Sequence, residues 1–215
     1  MRGKLIMAGA FVVLAGAAAI ATAAPELNLR GDRFRPLSYA ELDPAQRVLA
    51  DRELAAPSRS GGGPLNIYPR SPEMAELARP LSTYLRFKAA IPEKLKELAI
   101  MLTARFWGGT YVWYSHRPFA IKAGLSEAFI EALVAGERPA NMAPDEATVY
   151  DFCSELLATR KVSDATYKNF VDRFGERAMV ELVALMGQYH MTSMLFAVER
   201  YPLPEGAKEE IAAPR

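Results

Sequence analysis

The chain is poor in the residues that most often announce a function. Its 215 residues hold one cysteine, Cys153, and two histidines, His116 and His190. A single thiol excludes an intrachain disulfide framework, a CxxC redox pair and a cysteine-rich zinc site. Two histidines without a tight ligand spacing do not make a metal centre, so no metal and no cofactor are expected. An excess of charge is missing too: 26 Lys and Arg against 25 Asp and Glu leave a net charge of +1. A nucleic-acid binder would carry a basic excess or stripe, so no such partner is expected. The glycine run Ser60-Gly61-Gly62-Gly63-Pro64 has no Lys-Ser or Lys-Thr after it and no strand before it. It reads as a chain breaker and not as a phosphate loop.

What is present begins with a leader. Arg2 and Lys4 form a basic start, Leu5 to Ala21 is an unbroken run of apolar and small residues, and Ala21-Thr22-Ala23 supplies an A-x-A site. This three-part pattern predicts a secretory signal peptide over 1–23, cleaved after Ala23. The alternative is an uncleaved membrane anchor, since the run approaches spanning length. Contact with a membrane is therefore expected only during export or through that anchor. Arg2 and Lys4 leave with the leader, which takes the net charge just below zero. The expected product is a near-neutral, soluble, exported domain, periplasmic or secreted.

The rest reads as helices. Residues 24–70 form an extension rich in Pro, Gly and Arg with one short helix, opened by the N-cap pattern Asp43-Pro44-Ala45-Gln46. From Ser71 to about residue 204, helical spacing repeats between Gly, Ser and Pro punctuation. Pro80 is expected to kink or split the first of these helices. Starts fall at Pro92, Thr110, Ser126, Pro144, Ser163 and Glu176, and stops at Gly108-Gly109, Gly124, Gly136, Gly175 and Pro202. Residues 205–215 form a polar tail. The fold class is all-α, one helical bundle. Several helices are apolar on more than one face, so a homo-oligomer is expected.

One stretch carries most of the chemistry: Glu97-Leu98-Ala99-Ile100, Ala104-Arg105-Phe106-Trp107-Gly108, and Tyr111-Val112-Trp113-Tyr114-Ser115-His116, continuing through Ala123-Gly124-Leu125-Ser126. Pro64-Leu65-Asn66, Tyr150-Asp151-Phe152-Cys153, Ser163-Asp164-Ala165-Thr166 and Gly175-Glu176 stand around it in order. In these motifs and their spacing the chain resembles the carboxymuconolactone decarboxylase family, also called alkylhydroperoxidase D-like (AhpD-like), over roughly residues 36–204. The resemblance implies the AhpD-like helical bundle. It also implies a site built from an upstream glutamate and a downstream histidine, which fall on Glu97 and His116. The cysteine pair of the family's peroxidases falls on Gly109 and Val112, so both thiols are missing. Many thiol-free relatives place a glutamate where Val112 stands, and that carboxylate is missing as well.

A thiol peroxidase needs a thiolate nucleophile and a resolving thiol, so that activity is not expected. Glu97 and His116 remain as a minimal proton-transfer pair. The pair suits cofactor-free decarboxylation, lactone opening or isomerisation of a small organic acid or lactone. Arg105, on the same predicted helix as Glu97, is the candidate substrate cation, with an ordinary intra-bundle salt bridge as its competing reading. Tyr111, Trp113 and Tyr114 are candidates for a substrate pocket, with core or subunit interface as theirs. His190 is not expected to be catalytic. The competing reading for the whole chain is a catalytically silent binding or structural oligomer on the same scaffold.

Overall fold

Asp43 starts the first helix in the way the sequence predicts. Its Oδ1 accepts the Gln46 N–H at 2.8 Å, and the Gln46 side chain accepts the Asp43 N–H at 3.0 Å. Such a reciprocal cap is worth about 1 kcal/mol. The computed structural model describes Leu27, residues 31–55 and residues 67–211. The leader, the Ser60–Pro64 breaker, the Pro64-Leu65-Asn66 motif and the last residues of the tail lie outside the described residues. Among the described residues there are seven helices and no strand: α1 (Pro44–Ala55), α2 (Pro72–Phe87), α3 (Glu93–Trp107), α4 (Thr110–Lys122), α5 (Glu127–Ala135), α6 (Pro144–Thr159) and α7 (Asp164–Glu199). No described helix is long and apolar enough to cross a membrane.

The central element is α3. Every residue from Leu95 to Ala104 is buried, as expected of a helix enclosed on all sides. Helices α4, α6 and α7 pack around it, and α5 touches it near its C-terminal end. Two polar residues in this stretch are satisfied locally. Thr103 donates to Ala99 O at 2.8 Å, and Lys96 runs its amine out to Arg86 O and to Glu93, 2.9 Å away. Cys153 on α6 is completely buried in the core.

The stops fall where chain chemistry puts them. Gly108, Gly124 and Gly136 adopt the left-handed conformation after α3, α4 and α5. Ser126 and Ser163 cap α5 and α7 through Phe129 N–H and Thr166 N–H. Gly175, at φ 80° and ψ 163°, breaks α7 into two helical stretches, at the expected position. Pro80 differs from expectation, because α2 runs through it without a break. Pro80 and Glu76 are both exposed, so water can take the Glu76 carbonyl that loses its N–H partner.

Two long-range ties fix the periphery. Glu181 on α7 accepts the Tyr84 hydroxyl, the Ala90 N–H at 2.6 Å and the Arg177 guanidinium at 3.0 Å. These bonds hold α2 and the connection to α3 against α7, and they lower the Glu181 carboxyl to about 2, the Tyr84 bond first among the causes. At the other end, residues 31–34 lie over the end of α7. Phe34 N–H donates to the buried Glu199 carboxylate at 2.9 Å, and Arg33 donates to Val198 O at 3.0 Å. Gly31 sits at φ 130°, and a Cβ there would overlap the Glu199 carboxylate.

Candidate active site

Glu97 lies one turn into the buried face of α3, and His116 lies in the middle of α4. The left-handed Gly108 lets the chain turn back so that α4 packs on α3. The two side chains meet: His116 Nδ1 is 2.8 Å from Glu97 Oε2, with Glu97 at 0% and His116 at 6% exposure. Burial pushes the His116 pKa below its ordinary value, against the opposing pull of Glu97. The ring is therefore neutral near pH 7. The carboxylate holds the proton on Nδ1, which leaves the Nε2 lone pair as an acceptor beside Arg86 Nη1.

Two further residues complete the cluster. Arg86, near the end of α2, places Nη2 3.1 Å from Glu97 Oε1 as an ion pair whose direction is not that of a hydrogen bond. Its Nη1 donates to the Tyr189 hydroxyl at 2.8 Å and stands 3.5 Å from His116 Nε2. Burial works against the Arg86 charge, but Tyr189, Glu97 and Glu93 outweigh it, and the arginine is held more firmly protonated than usual. The Tyr189 ring stands edge-on to the His116 ring at 4.9 Å. Burial raises its phenol to about 12, so it stays a hydroxyl. Outside this cluster, Phe87 and Phe119 flank the Arg86 guanidinium at 5.6 and 5.7 Å. They are 72% and 51% exposed and form apolar lips beside the buried pair.

The other candidates lie elsewhere. Arg105 turns to α5, where its guanidinium caps the Leu133 and Val134 carbonyls beside Gly136. It does not join Glu97, and Arg86 stands in the place a cation was expected to fill. Tyr111 packs on Tyr201 and Phe196, with ring centroids at 4.6 and 5.3 Å. Trp113 is buried and donates its indole N–H to Glu210 at 2.8 Å. Tyr114 is largely solvent-facing and tilted against Tyr111. Of the three, Tyr111 packs α4 against the end of α7, Trp113 ties α4 to the tail, and none has a recorded contact with His116. His190 accepts the Trp107 indole N–H. Among the described residues no group of three His, Cys, Asp or Glu side chains is placed to hold a metal.

No family model matches the chain, and no curated protein matches it. Solved structures do. One is a protein of unknown function from Agrobacterium tumefaciens, named as a candidate antioxidant defence protein of the AhpD type. It is 17% identical, with a TM-score of 0.52 over 66% of this chain and 100% of its own. Another is the debrominase Bmp8, as a cysteine-to-alanine variant in complex with 2,3,4-tribromopyrrole. It is 15% identical, with a TM-score of 0.59 over 81% of this chain and 92% of its own. At these identities the likeness concerns the fold, and the fold is the AhpD-like helical fold.

Proposed function

We propose that the protein carries out cofactor-free proton transfer on a small organic acid or lactone, with a decarboxylation, lactone opening or isomerisation as its reaction. The observation that carries this reading is the His116 Nδ1–Glu97 Oε2 bond of 2.8 Å with Arg86 Nη1 beside the other ring nitrogen. His116 Nε2 is the base and then the acid. Glu97 fixes the tautomer. Arg86 and the Tyr189 hydroxyl hold negative charge as it develops on the substrate. Phe87 and Phe119 receive the apolar part of the substrate. Thiol peroxidase chemistry is outside this reading, because Cys153 is buried and burial pushes its thiol well above the ordinary value. That the debrominase neighbour is seen in complex with 2,3,4-tribromopyrrole is in keeping with a small cyclic ligand on this scaffold.

The test is turnover across a panel of lactones and aromatic acids. His116→Ala should lower it by about 10²–10⁴-fold with the helical circular dichroism intact. Unchanged turnover would sink the assignment. The competing reading, a silent binding scaffold, draws on the 6% exposure of His116. It predicts ligand-induced thermal shifts without product. We also propose export through the leader, and a homo-oligomer in which a second copy covers Leu77 and Val180, both exposed by two thirds or more. Light scattering on the full chain should give more than one subunit, and Leu77→Glu with Val180→Glu should shift it to the monomer. A monomeric wild type would exclude this assembly.

A further inference from the structure

A cavity of about 170 Å³ lies at the start of α4, lined among others by Trp107, Gly109, Tyr111, Ser193, Phe196 and Arg200. The first helical bond of α4 runs from Trp113 N–H to Gly109 O, and Thr110 N–H turns back to Gly108 O. The Tyr111 and Val112 N–H groups belong to the first turn of α4, where a helix offers its donors no acceptor of its own. The start of a thirteen-residue helix therefore opens on the cavity with its partial positive charge uncompensated.

A second observation points to a ligand. Ser193 is 2% exposed, and its Oγ has no hydrogen-bond partner. A buried hydroxyl left unpaired is uncommon and costly. It lies opposite Gly109, 3.1 Å from where a Cβ would stand. The missing side chain at Gly109 is what brings the hydroxyl to the helix start. The rest of the lining sorts by chemistry. Arg200 supplies a cation at the rim, shared with Asp32 at 3.6 Å. Tyr111, Phe196 and Tyr201 stack into an aromatic wall.

From these groups we infer that the cavity binds the carboxylate end of a small organic acid. Ser193 Oγ and the Tyr111 N–H take the oxygens, Arg200 adds charge, and the aromatic wall takes a short hydrocarbon tail. One shared cation and one helix end suit a monoanion, and the apolar wall disfavours phosphate or sulfate. His116 is seven residues further along α4, about 10 Å away by helical rise. The site is thus separate from the Glu97–His116 pair and stands whether or not that pair turns a substrate over.

The experiment titrates butyrate into the full-chain protein by calorimetry, with butyramide and inorganic phosphate as comparators. Saturable butyrate binding is expected, weakened at least about tenfold by Ser193→Ala and by Gly109→Ala. Butyramide and phosphate should bind at least about tenfold more weakly. The melting temperature of ligand-free Ser193→Ala should equal or exceed that of the wild type, since the variant removes an unpaired hydroxyl. His116→Ala should bind butyrate like the wild type, so a failure of the proton-transfer reading appears in turnover alone. The inference is overturned by an absence of saturable binding, by unchanged affinity in Ser193→Ala, by equal binding of butyramide or phosphate, or by a lowered melting temperature of the ligand-free Ser193→Ala protein.

Discussion

At the scale of single residues, the functional claim turns on one imidazole. His116 acts as a base only when neutral, and burial favours that form below its ordinary value of 6.5. The acid limb of kcat/KM should therefore have its midpoint below pH 6.5. Glu97 pulls the other way, so Glu97→Gln should move the limb lower still while reducing the plateau. A pH–rate profile of the two proteins checks both shifts. Stability carries the same sign. The unfolded chain takes up the proton first, so the contribution of a neutral buried His116 is full above pH 6.5 and declines as pH falls below it. Glu97 and His116 were legible because they lie in one continuous stretch of motif. Arg86 and Tyr189 were not, since α2 and α7 bring them in from 30 and 73 residues away from His116. Arg105 misled for a geometric reason. Eight positions beyond Glu97, it points about 80° away around the helix, towards α5.

At the scale of elements, the turns and caps were written locally and the ties between elements were not. Asp43, Ser126, Ser163 and the glycine stops each act on residues within one turn, so spacing alone reveals them. The Gly31–Glu199 contact joins residues at opposite ends of the described chain, and no local pattern marks it. Two glycines separate these cases experimentally. Gly31→Ala should cost about 1–3 kcal/mol, because it combines a positive φ with overlap on Glu199. Gly187 is exposed on α7 and a Cβ there meets nothing. Gly187→Ala should therefore stabilise by about 0.5–1 kcal/mol. Denaturant melts of both variants measure the contrast, and equal effects would mean that residues 31–34 are not held as described.

At the scale of the whole molecule, an α3 buried from Leu95 to Ala104 with helices packed around it was the expected bundle, and apolar periodicity made it legible. What periodicity leaves out is how the outer helices are clamped. Glu181 does this for α2 and α7, with a carboxyl at about 2 against an ordinary 4.5. A depressed carboxyl stabilises fully above its ordinary value and loses that contribution as pH falls from 4.5 towards 2. Acid unfolding should accordingly steepen in this window, and Glu181→Gln should flatten it while lowering stability near neutrality. The buried position of Cys153 has a consequence of another kind. With one thiol in the chain and that thiol buried, a thiol-reactive dye can mark only molecules whose core has opened around α6. The labelling rate then reads the free energy of that opening, so the protein carries its own unfolding clock without any engineered probe.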